Sequence, residues 1–463
     1  MSADREIQIV EKPVSYTSTN LRIEQCRLIQ MIKERFVEKY TDFEAIQRNF
    51  RYTPKPVSRK YKVIILEYHT PNLSVEESFI YNLFIALKCI GCEPVFMTAM
   101  DFVNAIDDWR KSPASANEAL CDFIVNLHFT YTNDPIYDKL GIPFISIILD
   151  RAYFSNVTIN NEVKSNMIKY NEVKNAIYAW SDRTDLRYAG LYFKNGMHCF
   201  LPHCAELDYD PGDIFKRDRC IDVVISCSSH LDKIFDSYID NLKMSNYNVA
   251  CVIQQILKHY TNDGKNKTLE ECVKDITGCS DEDLVEFMSN WFCSSMNQRV
   301  RHAKRHRLIK ALLDGGITVH LFGNWECVEI TKHPNCVYHG VIDCDPGRKI
   351  FEHSKILINI MPSYCMDGAH DRIFSSMSRG ALCMTDATDY LREIFTNGKD
   401  IVFYDNEDVD NLIETVKYYL AHEEERFHIT KNAFENVRTR HTWINRAESI
   451  VSMYEEFREN FPL

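Results

Sequence analysis

The reading of this chain turns on residues 355–386, KILINIMPSYCMDGAHDRIFSSMSRGALCMTD. The apolar run KILINIMP predicts a strand. A long loop follows, then a short helix over DRIFSSMSR stopped by Gly380, then a second strand, ALCMTD. The loop holds Asp367, Gly368, His370 and Asp371. Gly368 permits a backbone turn that other residues would resist. Asp371 is placed to cap the helix, leaving free N–H groups in its first turn. A helix amino end beside a strand end attracts an anion, because orphan donors and the dipole point the same way. The dipole alone supplies about 0.3–1 kcal/mol. A diphosphate needs more, and Arg372 in the first turn can grip phosphate oxygens with two nitrogens. The plainer alternative is a capped helix whose arginine pairs with a neighbouring carboxylate.

The same rhythm extends in both directions. YKVIILEYH, EPVFMTA, CDFIVNLHF, IPFISIILD and NAIYAW read as strands, with a helix over SVEESFIYNLFIALKCIG that Ser74 caps and Gly91 ends. FLPHCAELDYDPGDIFKRDR reads as a connection. A second alternation then runs through CIDVVISCSS, ITVHLFGN, NCVYHG, KILINIMP, ALCMTD and DIVFYD. Alternation at this spacing predicts an α/β fold with two doubly wound, Rossmann-like parallel-sheet domains facing across a cleft. The expected parts are a helical extension at 1–55, a first domain at 56–207, and a second at 208–440 with a helical insertion near 230–300. Residues 441–463 are expected to form a helix that crosses back to the first domain. Ligands should lie at the carboxyl ends of the strands, where His69, His128, Asp150 and Arg151 fall.

Composition narrows the classes. The chain has 463 residues, 45% hydrophobic and 26% charged, so it can build large cores without staples. A net charge of -12 argues against a protein that grips nucleic-acid backbone. An anionic ligand therefore needs a local positive site. The amino terminus, MSADREIQIVEK, has no apolar signal region, and no run of 18 apolar residues occurs. Seventeen scattered cysteines read as reduced thiols, so a cytoplasmic location is expected. Cys89 and Cys92 read as a helix end before a strand. The basic stretch RVRHAKRHRLIK, with Arg299, Arg301, Lys304, Arg305, Arg307 and Lys310, reads as a solvated helix face. Attraction of anionic lipid or an anionic acceptor is the other reading. His302 and His306 within it have i, i+4 spacing but make no convincing metal pair. Asp343 and Asp345 form an Asp-x-Asp, read as the start of a Pro-Gly turn rather than a metal site.

From His370 to about Val451 the residues resemble group 1 glycosyltransferases, nearest the branch of CgeB-like spore-maturation proteins. The matching features are a helix before a small-residue-Gly turn, Thr385-Asp386, a Tyr-Leu-x-Glu segment, Asn-Gly-Lys-Asp before Val-Phe-Tyr-Asp, and His-Thr-Trp near the end. The resemblance implies a GT-B fold whose second domain holds a nucleotide-sugar donor. It implies that Asp367, before Gly368, faces the donor sugar. The family's ribose-binding acid falls on Ser375, which is not a carboxylate. The family's Arg and Lys after the first strand are replaced by SCSSHLDK, with Lys233 alone nearby. Arg372, helped by Ser228 and Ser229, is then the expected phosphate contact. The base is expected near His339 and Gly340, with Gly323 and Asn324 lining the pocket. Helix capping is at least as good a role for Thr385 and Asp386.

Together these readings predict transfer of a hexose or N-acetylhexosamine from a nucleotide diphosphate sugar, UDP before GDP, to a hydroxyl of a glycan or protein. Catalytic candidates are Asp367 and, as general base in an inverting reaction, Asp150 or His69. Donor-binding candidates are Gly323, Asn324, His339, Gly340, Asp367, Gly368, His370, Asp371, Arg372, Ser375 and Ser228. No metal and no other cofactor is expected. Nucleic acid is not an expected partner, while peripheral membrane contact and homo-oligomers stay open. The competing readings are a catalytically silent nucleotide-sugar-binding subunit and a nucleotide-sugar epimerase.

Overall fold

Among the described residues every strand pair is parallel, as suits runs of apolar residues buried on both faces. The computed structural model describes residues 43–53, 59–67, 75–98, 102, 104–106, 111, 120–127, 141–149, 174–209, 211–229, 233–263 and 267–460. Residues 1–42 of the expected helical extension, and His69, His128, Asp150 and Arg151, lie outside them.

The first sheet contains β1 (Lys62–Glu67), β2 (Glu93–Thr98), β3 (Phe123–Leu127), β4 (Phe144–Ile148), β5 (Ala176–Trp180) and β6 (Met197–Phe200). Their spatial order is β2-β1-β3-β4-β5-β6. Strands β3, β4 and β5 are buried at every position. The sequence reading missed β6, a short edge strand with half-buried residues and no apolar run.

The second sheet contains β7 (Ile221–Ser226), β8 (Val319–Phe322), β9 (Cys336–Gly340), β10 (Ser354–Asn359), β11 (Leu382–Asp386) and β12 (Val402–Tyr404). Its order is β12-β11-β10-β7-β8-β9. The chain winds outward from β7 through β8 to β9, then crosses back to β10 on the other side. That is the dinucleotide-fold order, with its switch point between β7 and β10. The crevice predicted by topology therefore opens beyond Ser226 and Asn359.

Two packing features tie the sheets into one unit, Glu44–Leu463. The helix Trp443–Asn460 lies against the helix Val75–Cys89 and the first sheet, where Tyr454 stacks on Phe123 at 4.6 Å. The helical insertion covers the other flank. Its helices Lys233–Ser245, Tyr247–Asp263, Leu269–Thr277, Asp281–Met288 and Trp291–Asp314 bury Phe235, Ile256, Tyr260, Leu284 and Met296 against Tyr178, Trp180 and Tyr192. Fully burying one such side chain is worth about 1.5–3 kcal/mol. The insertion thus shares a core with the first sheet, while Leu308, Ile309, Leu312 and Leu313 at the end of its last helix pack in the core of the second.

Candidate functional site

The residues singled out in the sequence fall into two groups at the carboxyl ends of the second sheet. The first is knitted together beyond β7 and β8. Gly323 has φ +118°, and a Cβ there would meet the Cys227 carbonyl oxygen at 2.3 Å. Only glycine allows the two strand ends to approach so closely. The Ser228 hydroxyl accepts from the Asn324 amide at 3.0 Å, and the Ser229 amide donates to the Asn324 carbonyl at 2.9 Å. Gly323 in turn donates to the carbonyl of Gly340 at 2.7 Å. His339 stands exposed on β9, its ring stacked on Phe322 at 4.3 Å. It offers a flat, partly apolar surface.

The second group follows β10. Gly368 is not held at positive φ; it is needed because the first domain packs onto it. A Cβ would meet the Ser181 carbonyl at 2.7 Å and an Asp182 carboxylate oxygen at 2.9 Å. The Asp367 amide donates to Asp182 at 3.1 Å. One Asp367 oxygen, Oδ1, accepts from the Tyr390 amide at 2.9 Å. Burial raises the Asp367 pKa, against the Tyr390 amide and the Arg183 charge.

The helix itself is Asp371–Ser378, and its cap is His370 rather than Asp371. His370 Nδ1 accepts from the Arg372 amide at 3.4 Å when unprotonated, and donates to the Asp371 carboxylate instead when it carries a proton. It lies parallel to His203 at 6.1 Å. Burial lowers the His370 pKa, as does Arg372, while Asp371 raises it. Asp371 is buried, which favours its neutral form, yet His370 and Arg372 hold its carboxyl far below the usual range. The helix amino end thus already carries one carboxylate and one imidazole, so an additional anion depends on added positive charge.

That charge comes from a helix read as solvated. Arg305, in Trp291–Asp314, is 4% exposed. One of its terminal nitrogens donates to the Ser228 carbonyl, while its Nε has no hydrogen-bond partner. Burial pushes its pKa down to about 10, and the charges of Arg301 and Arg372 push the same way. Arg372 likewise has a buried terminal nitrogen without a partner. Among the described residues neither guanidinium forms an ion pair. A buried cation without a counter-ion costs several kcal/mol, and an anion placed between the two would relieve it. Arg305 therefore joins the groups, donating to the Ser228 carbonyl and feeling the charge of Arg372. The outer members of the basic stretch do behave as a solvated face: Arg307 pairs with Glu407, and Lys310 with Asp314.

Lys304 also turns inward. It pairs with Asp386 and donates to the Met361 carbonyl at 3.1 Å. Asp386 accepts from the Met361 amide at 2.8 Å and from Asn406 at 3.0 Å. Asp386 is therefore no helix cap; Thr388 caps the helix Asp389–Ile394. A cavity of about 1020 Å³ opens here, lined by Lys304, Ser363, Asp386, Arg392 and Asn406. Its lining shares none of the predicted donor residues.

Ser375 is fully buried and donates to Glu206 at 2.6 Å. Glu206 also accepts from Arg348 at 2.9 Å and Arg379 at 2.8 Å. Arg348 reaches on to Ser78 of the first domain. Ser375 thus serves a sealed ionic cluster between the domains and does not face the crevice. Asp343 precedes the helix Cys344–Glu352, and Pro346 occupies its first turn instead of a Pro-Gly turn. The Cys89 and Cys92 thiols are buried, and burial pushes them up to about 12 and about 11, which favours the protonated thiol.

Residues 301–452 match the model of a family described as glycosyl transferase-like. The matched stretch contains Arg305, Asp367 and Arg372 but neither Ser228 nor the first sheet. No curated protein matches the chain. Among solved structures, Anabaena HepE, crystallised with UDP and glucose, shares 11% identity over 86% of this chain and 100% of its own, with a TM-score of 0.46. Sucrose-phosphate synthase from Thermosynechococcus elongatus shares 10% over 87% and 100%, also at 0.46. The T4 phage β-glucosyltransferase shares 11% over 87% and 100%, at 0.43. The fold assignment rests on the sheet topology and not on these likenesses. Among the described residues no helix is long and apolar enough to cross a membrane.

Proposed function

We propose that the chain is a glycosyltransferase of the GT-B type. It moves a hexose or N-acetylhexosamine from a nucleotide diphosphate sugar, with UDP favoured, to a hydroxyl of a glycan or protein acceptor. The observation that carries this reading is the buried Arg305, which forms no ion pair among the described residues and feels the Arg372 charge, at the switch point of a dinucleotide-type sheet. The family match over 301–452 supports it.

In the proposed reaction the acceptor oxygen bonds to the anomeric carbon, and the bond from that carbon to the diphosphate oxygen breaks. The electron pair leaves with the diphosphate. Arg305 and Arg372 stand where that negative charge grows, and losing one such fixed donor costs about 2.7–4 kcal/mol in comparable oxyanion sites. The arginines supply the charge, so the proposed step uses no metal. Asp367 keeps its second carboxylate oxygen for a sugar hydroxyl, and the His339 face receives the base. The acceptor proton passes to Asp150 or His69 if configuration inverts, or to the leaving phosphate if it is retained.

The test is a panel of nucleotide sugars with the purified chain and a lysate of the native host as acceptor source. Release of free nucleotide is expected, and Arg372→Ala should lower turnover at least tenfold while the protein stays folded. Donor binding without release would instead identify a silent nucleotide-sugar-binding subunit, the reading that the unavailable Ser375 favours. Recovery of a sugar with altered configuration would identify an epimerase. Failure of every nucleotide sugar to bind would overturn all three.

A further inference from the structure

We propose a zinc site formed by His306, Cys327 and Glu329, away from the phosphate clamp and independent of the sugar-transfer reading. His306 lies on the helix Trp291–Asp314, one turn beyond His302. Cys327 and Glu329 lie at the start of the helix Val328–Thr331, after β8. The fold brings one nitrogen, one sulfur and one carboxylate oxygen within 4.8 Å of one another.

The chemistry of the three atoms fits zinc. A borderline-soft cation accepts a mixed set of imidazole, thiolate and carboxylate, and three protein donors leave a fourth position for water. Zinc bonds of about 2.0–2.3 Å place the donors roughly 3.5 Å apart. The His306 ring nitrogen is already 3.5 Å from Glu329 Oε2. The remaining gap closes by rotating partly exposed side chains.

The surroundings agree. Cys327 occupies the helix cap position, yet its side chain makes no capping bond there, so the sulfur is not committed to the helix. Glu329 divides its oxygens: Oε2 faces His306, while Oε1 lies 3.4 Å from Lys310. Lys310 is thus an outer partner on Oε1, on the side of the carboxylate away from His306. His302 lies tilted beside His306, ring centroids 6.1 Å apart, and is held by Ser229 on its own ring nitrogen Nδ1. Bound zinc would cross-link the long helix to the segment after β8.

Cobalt(II) is the probe, because a thiolate ligand gives it a charge-transfer absorption that oxygen and nitrogen ligands do not. Titrating the metal-free full chain with Co²⁺ should produce that band, saturating at one equivalent, and Zn²⁺ should abolish it by displacement. Cys327→Ser should remove the band. His306→Ala should weaken binding by more than the roughly tenfold expected of an outer partner. Cys336→Ser, a partly exposed cysteine on β9, should leave the band intact. Zn²⁺ should also raise the unfolding temperature of the unaltered chain and not of Cys327→Ser. Absence of the band, or a band that survives Cys327→Ser, would overturn the proposal.

Discussion

Arg305 lies close enough to Arg372 for the two charges to repel, while one of its nitrogens is anchored on the Ser228 carbonyl. Burial and the neighbouring charges oppose the Arg305 cation, a cost that the bound diphosphate of the proposed reaction would offset. Arg305→Met should therefore leave the unfolding temperature unchanged or raise it, since apolar replacement of buried charge is often stabilising by about 1–4 kcal/mol. The same change should weaken UDP binding at least tenfold. Calorimetry of unfolding with and without UDP reads both effects. A ligand at a hundredfold excess over its Kd adds about 2.7 kcal/mol, and this gain should shrink in the variant.

Gly323→Ala tests the knitted strand ends. The added carbon would strike the Cys227 carbonyl at 2.3 Å, and the backbone conformation disfavours any side chain. Backbone cannot swing aside as a side chain can. A loss of about 1–3 kcal/mol is expected, read by urea unfolding. Gly398→Ala is the comparison: its φ is +72°, but open space surrounds it, so it should lose less.

Glu206 is the shared counter-ion of Arg348 and Arg379. Glu206→Gln leaves two buried guanidiniums with reduced compensation, and breaking such a pair costs about 3–5 kcal/mol. Burial opposes its ionisation, but the two arginines lower its pKa overall. A depressed carboxylate stabilises the fold above its unfolded pKa, near 4.3, and that contribution fades as pH falls below it. The native chain should lose stability below about pH 4.3, and Glu206→Gln should show a shallower slope there.

His441 gives the opposite group type at higher pH. It is buried against Phe374 and Phe395, and burial pulls its pKa down to about 3, helped by Arg446 and Arg440. The unfolded chain takes up a proton near pH 6.5 while the folded chain resists, so stability falls as pH drops below 6.5 toward 3. At pH 5 the cost is roughly 2 kcal/mol. His441→Gln should flatten stability between pH 6.5 and 5, measured by denaturant midpoints across that range.

The sequence by itself determined the elements and their rhythm. Runs such as KILINIMP and ALCMTD are strands because their consecutive apolar residues suit a sheet covered on both faces. Gly380 and Asp371 marked the ends of the short helix to within one residue. Composition could not say where buried charge would go. The basic helix looked solvated because one-dimensional spacing shows which residues share a face but not what that face meets. Tertiary packing alone turned Arg305 and Lys304 inward, left Arg307 outside, and sealed Ser375 against Glu206 of the segment that connects the two sheets. It also set Cys327 and Glu329 beside His306. Local patterning is a short-range property written along the chain. The pairing of distant charges depends on how the sheets and the insertion close over one another.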